Sequence, residues 1–171
     1  ATVQPRPIPP LTLAIARNYR QLDRLDQAQT FYSTTYSAAL AQGQTDVASA
    51  ALQDLTEIYL DQGKLEDVIY LYEQRLAVER LSFNGYGLMQ TFNKLGQFYE
   101  AQGDPDRAIT AYKEALIIAE HLDYRDAYFE LRLQRLLFEQ ERLQVTPLEQ
   151  HRHSRVGALN DPDFWQGNRR R

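Results

Sequence analysis

Side chains of one type return along this chain every 40 residues, and that interval limits the possible folds more than any other feature. Tyr19, Tyr59 and Tyr99 keep the spacing, and so do Tyr32, Tyr72 and Tyr112. Ile15, Leu55 and Leu95 form an aliphatic column, each followed directly by a small residue, Ala16, Thr56 or Gly96. Ala28, Val68 and Ala108 add another column, and the turn positions Asp23, Gly63 and Gly103 precede the acidic Asp26, Glu66 and Asp106. Columns that share one register place the same side chain at the same packing position in successive copies of a unit, as in a stacked repeat.

Within a unit the spacing is helical. Phe92, Leu95, Gly96 and Tyr99 make an i, i+3, i+4, i+7 stripe, and Ala108, Tyr112 and Ala115 make a second. AQGDPDRA lies between them: Gly103 can close one helix, Asp104 can cap the next, and Pro105 fits its first turn. The second and first units carry DQGKLEDV and QLDRLDQA at the same place.

These residues resemble the tetratricopeptide repeat family. Leu95, Gly96, Tyr99, Ala108, Tyr112 and Ala115, within LGQFYEAQGDPDRAITAYKEAL, supply its alternation of aliphatic or aromatic with small residues. The second unit departs from the pattern at Thr56, Val68 and Arg75, and the first at Thr35. The 40-residue interval is longer than the family's usual repeat and resembles the hairpins of kinesin light chains and some bacterial regulators. The surplus is expected in the second helix and its loop, around residues 42–46 and 82–87. The resemblance implies an all-α, right-handed α-solenoid of three helical hairpins, about 11–42, 46–83 and 87–122, and covers residues 9 to about 122.

The register then fails, because its next slots hold Arg135 and Glu139. Residues 124–144, with Tyr128, Leu131, Leu136, Phe138 and Leu143, read as one amphipathic capping helix over the open end of the stack. Residues 1–10 contain four prolines and are expected to be extended. Residues 145–171 hold Pro147, Gly157, Pro162 and Gly167 and read as an irregular basic tail, with five arginines against Glu149, Asp161 and Asp163. Phe164 and Trp165 in that tail are a candidate anchor, either packed back on the closing helix or docked outside.

Catalytic signatures are missing. There is no phosphate-cradling G-x-x-x-x-G-K-[ST], no H-E-x-x-H and no G-x-S-x-G. Gly85 and Gly87 stand alone, without the rest of a dinucleotide fingerprint, and read as an inter-repeat turn. With no cysteine, thiolate metal sites and cysteine nucleophiles are excluded. The three histidines, His121, His151 and His153, offer at most an H-x-H pair without further ligands. The expectation is therefore a chain that is not an enzyme and takes no metal or cofactor.

Binding is the alternative, and the resemblance implies where it occurs, because the first helix of each hairpin lines the concave groove. Asp54, Glu57 and Asp61 fall on one helical face and would favour Lys or Arg on a partner. Arg17, Arg20, Gln21 and Gln53 extend the lining in one direction, and Gln90, Asn93, Lys94, Gln97 and Glu100 in the other. Some domains of the family clamp a chaperone's terminal carboxylate with Lys and Asn. Leu13 and Arg17 occupy those slots here, so that ligand is not expected.

The expected function is a scaffold or adaptor that holds a protein or peptide, with a regulatory peptide-binding domain or a homo-oligomeric assembly factor as alternatives. A net charge of −4 argues against nucleic acid as a partner. No run reaches the roughly 18 apolar residues of a membrane span. The chain opens at Ala1 rather than at methionine, as expected of a processed leader or a boundary cut, and its compartment stays open.

Overall fold

The computed structural model describes residues 7–159, with side chains for 7–143. Seven α-helices follow one another: α1 (Pro9–Gln21), α2 (Leu25–Ala41), α3 (Thr45–Asp61), α4 (Leu65–Leu81), α5 (Gly85–Ala101), α6 (Pro105–His121) and α7 (Asp126–Leu159). Consecutive helices pack against each other, and α1 also touches α3. The chain is an all-α solenoid of three hairpins, α1–α2, α3–α4 and α5–α6, closed by α7.

The 40-residue period is itself halved. Helices α2 to α6 each span 17 residues, and three residues link each of the first six helices to its neighbour up to α6. The surplus length therefore lies in the helices rather than in lengthened loops around 42–46 and 82–87.

Every link turns the same way. Asp23, Gly43, Gly63, Phe83, Gly103 and Asp123 all have φ between 51° and 69°. The amide that follows each of them bonds back across five residues, as Arg24 does to Tyr19 and Asp104 does to Tyr99. This is the Schellman arrangement, in which a left-handed residue lets the chain satisfy a helix's last carbonyls. Glycine or Asp tolerates that conformation, but Phe83 does not, and its side chain is 95% exposed. Phe83→Gly is accordingly expected to raise stability by about 1 kcal/mol, read as a higher urea midpoint.

Starts are specified less uniformly. Asp104 caps α6 by accepting from the Arg107 amide at 3.0 Å, with Pro105 in the first turn, and Asn84 caps α5 by accepting from the Gly87 amide at 3.0 Å. The caps of α1 to α4 make no side-chain bond. Those helices are held mainly by packing, which dominates helix stability in proteins.

The apolar interior divides in two. Leu13, Ala16, Tyr32, Leu52, Leu55, Ile58, Leu71 and Val78 fill the first cluster, between hairpins one and two. Val68, Tyr72, Leu76, Phe92, Leu95, Tyr99 and Tyr112 begin the second, which continues into α7 through Phe129, Leu133 and Leu136. The tyrosine columns differ in depth. Tyr32, Tyr72, Tyr99 and Tyr112 are buried, whereas Tyr19 and Tyr59 are half-buried. Their exposed faces are covered: Tyr19 stacks on Phe31 at 5.2 Å, and Lys64 lies 4.9 Å over Tyr59.

Helix α7 departs from expectation in two ways. Its buried face is Phe129, Leu133 and Leu136, leaving Leu131, Phe138 and Leu143 exposed. It also runs through Pro147 to Leu159, so the tail expected to be irregular from residue 145 is helical to that point. One proline removes a single ladder bond, and the Leu, Glu and Gln residues on both sides of it are strong helix formers. At the other end Pro9 and Pro10 belong to α1, where proline suits a first turn.

Candidate functional site

Side chains of α1 meet those of α3, side chains of α3 and α5 line one cleft, and side chains of α5 meet those of α7. Two of these three junctions are crossed by ion pairs. Arg17 Nε donates to Asp54 Oδ2 at 2.6 Å and Arg20 Nη1 to Glu57 Oε2 at 2.7 Å, tying α1 to α3. Glu100 accepts from Arg132 and Arg135, tying α5 to α7, and Gln97 lies 3.4 Å from the Tyr128 hydroxyl. Of the expected lining residues, Arg17, Arg20, Asp54, Glu57 and Glu100 are thus engaged in ion pairs. Asp54 and Glu57 are held by arginines of the first hairpin, while Asp61 remains exposed at the end of α3. Asn93 pairs with Gln97 at 3.4 Å, and Gln21 lines a hollow with Arg17, Arg20, Tyr32 and Asp54.

No ion pair crosses the α3–α5 junction among the described residues. A cleft of about 130 Å³ opens there, lined by Gln53, Thr56, Glu57, Leu60, Tyr72, Arg75, Gln90 and Lys94. A second hollow adjoins it, lined by Ser49, Glu79, Asn84 and Gly87 among others, and Arg75 borders both.

Arg75 stands in the register of Thr35 and Ala115, and Glu79 in that of Ala39 and Ala119; all four counterparts are fully buried. Where the other hairpins use small residues to let helices approach, the second inserts a buried ion pair. The side chains of Arg75 and Glu79 are only 9% and 3% exposed. Glu79 accepts from Ser49 Oγ and, at 2.7 Å, from Asn84 Nδ2, while Arg75 Nε reaches Ser49 Oγ at 3.2 Å and Glu79 Oε1 at 3.6 Å. Burial lowers the Arg75 guanidinium pKa, and the Glu79 carboxylate opposes that shift.

Neighbouring positions make room. Ser49 replaces the bulk of Met89 in its column, and a Cβ at Gly87 would come within 2.2 Å of the Glu79 carboxylate. This pair is what the sequence reading missed as a site. Its signal is a charged residue interrupting two columns that are otherwise small.

Beneath the face lie the hydroxyls of three second-helix tyrosines, Tyr32, Tyr72 and Tyr112, whose rings are buried. The hydroxyls of Tyr32 and Tyr112 are buried without a hydrogen-bond partner. Burial first, and Asp54 second, pushes the Tyr32 hydroxyl up to about 12. A raised folded pKa contributes stability that is intact below the unfolded value and lost above it. From Tyr32, stability is therefore expected to fall as pH climbs from about 10 towards 12. Urea midpoints at those pH values would register the loss, and Tyr32→Phe would reduce it.

No cluster of three or more metal-ligating side chains occurs among the described residues. His151 and His153 lie in α7 beyond the described side chains, and Phe164 and Trp165 lie outside the described residues. No helix among the described residues is long and apolar enough to cross a membrane.

Residues 90–122, which are the third hairpin less its first few residues, match the family described as Tetratricopeptide repeat. The third hairpin thus carries a tetratricopeptide repeat. The first two hairpins share the third's three-residue links and tyrosine columns, and α2, α3 and α4 share its helix length, which extends the repeat plan over residues the match does not reach. Among solved structures, BtubC (BKLC) from P. vanneervenii superposes with a TM-score of 0.63 at 20% identity, covering 100% of this chain and 72% of that one. Aspartyl phosphate phosphatase F from Bacillus subtilis gives 0.60 at 18% identity, covering 84% of this chain and 41% of that one. These likenesses establish the solenoid fold; the activity in the phosphatase's name belongs to that protein. No curated protein matches the chain in sequence.

Proposed function

We propose that this repeat protein is a binding scaffold that holds a segment of another protein along its first-helix face, with the α3–α5 cleft as the principal contact. One observation carries the reading. The junctions on either side are bridged by ion pairs, whereas this one stays open and presents Gln53, Gln90 and Lys94 to solvent. A solenoid can vary such a face without touching its packing columns, which is why the fold suits recognition. At about 130 Å³ the cleft lies well below the range of roughly 300–1,000 Å³ typical of small-molecule sites, and suits a single side chain of a longer segment.

The chemistry of the partner follows from which groups are spent. A basic segment directed at Asp54 and Glu57 would have to displace Arg17 and Arg20, leaving Asp61 as the remaining acid of the three. Amide side chains at Gln53 and Gln90 can donate and accept, and so can pair with an extended backbone.

Blocking the cleft without changing charge tests the reading. Gln53→Trp/Gln90→Trp alters two exposed positions, and Glu73→Lys on α4 serves as a control on another surface. In affinity capture from native lysate, a partner retained by the native chain and by the control should be lost from the plugged variant. If all three chains retain the same partners, the first-helix face is not where they bind.

A further inference from the structure

The α3–α5 cleft is a polar opening with an unequal set of charges. It contains two cations, Arg75 and Lys94, and one carboxylate, Glu57, which Arg20 already engages at 2.7 Å. Glu79 neutralises Arg75 from the other side, because Glu79 lines the adjoining hollow and not this cleft. The hydrogen bond of Arg75 to Ser49 and its contact with Glu79 both run through Nε, and among the described residues neither Nη has a partner. Arg75 lines both the cleft and the adjoining hollow, so its guanidinium borders open space. A guanidinium held rigid through Nε by buried partners, with its outer edge open, is pre-organised to donate two parallel bonds to a planar acceptor. Lys94 adds a mobile cation from the facing helix, and the Tyr72 hydroxyl lies beneath, close enough to Arg75 and Glu57 to feel both charges.

We infer that Arg75 and Lys94 form an anion-accepting subsite that takes the carboxylate of an Asp or Glu side chain from the bound protein segment. The inference rests on the scaffold reading above and specifies the chemistry of its principal contact. It also explains why the second hairpin alone abandons small residues at positions 75 and 79. The inserted arginine reaches the cleft, and the inserted glutamate, fixed by Ser49 and Asn84, holds that arginine in place. The expected partner is acidic at one fixed position of its segment, which is the reverse of what the three carboxylates on α3 suggest by themselves.

Panning a random peptide library on the immobilised native chain tests this directly. Peptides that survive competition should share one acidic position, and replacing that residue by Asn or Gln should weaken binding by about tenfold or more. Lys94→Gln, an exposed change, should weaken the same peptides without affecting folding. Arg75→Met/Glu79→Leu, which removes the pair together, should abolish the preference for acid over amide. Peptides that bind the native chain but not Gln53→Trp/Gln90→Trp, and that show no acidic position, would overturn the anion subsite and leave the scaffold reading standing. Peptides indifferent to the plugged cleft would overturn both.

Discussion

Arg75→Ala is expected to destabilise the chain by about 3–5 kcal/mol, because it strands the Glu79 carboxylate in a site that is 3% exposed. For a chain of this size that amounts to a fall in Tm of roughly 6–20 °C. Glu79 would keep its bonds from Ser49 and Asn84 but lose its only cation among the described residues. Arg75→Met/Glu79→Leu should recover most of the loss, since a buried ion pair replaced by apolar groups of similar volume is often neutral or stabilising. The native chain, Arg75→Met, Glu79→Leu and Arg75→Met/Glu79→Leu, compared by urea unfolding, form a cycle that measures the coupling between the two side chains. A single Arg75→Ala chain as stable as the native one would mean that Glu79 is not dependent on its partner. The account of the second hairpin given above would then fail.

That pair also marks the limit of what the sequence revealed. The 40-residue register located every hairpin, because it records packing, and packing repeats. Asp104 and Pro105 announced the start of α6 through local chemistry, and Asp23, Gly63 and Gly103 announced three of the turns. Phe83 did not, because its left-handed conformation is imposed by the links around it and opposed by its own side chain. The pairing of Arg17 with Asp54 and of Arg20 with Glu57 was invisible for a different reason. It joins residues 37 positions apart, so it depends on how neighbouring first helices slide past each other, and the column spacing does not encode that offset. Three carboxylates on one helical face therefore looked free when two were engaged. Arg75 was legible as a departure from the pattern, but it read as a weak repeat position until Glu79, one turn later, was seen to depart with it. The length of α7 was hidden by Pro147, a local stop signal that the surrounding helix formers outweigh.

Tyr112 separates two contributions that a single truncation would merge. Its ring is fully buried, lying so close to Gly96 that a Cβ there would approach ring carbons at 2.7–2.9 Å, and its centroid is 6.5 Å from that of Phe129 on α7. Tyr112→Ala should cost about 3–5 kcal/mol, the range for a buried aromatic whose cavity cannot close. The loss should also loosen α7, which hydrogen exchange of the amides following Asp126 would detect. The hydroxyl contributes in the opposite direction. It is buried without a hydrogen-bond partner, and both burial and the nearby Glu100 carboxylate raise its pKa. Tyr112→Phe deletes that unsatisfied oxygen and keeps the ring, so stability should hold or rise by about 1 kcal/mol. Tyr72→Phe, where the hydroxyl borders the open cleft, should be close to neutral. If Tyr112→Phe instead destabilises by as much as a lost hydrogen bond to a charged group, the hydroxyl is satisfied by Glu100 in solution. The same oxygen would then belong to the charge network that ties α5 to α7, rather than being an expense of packing a tyrosine against Gly96.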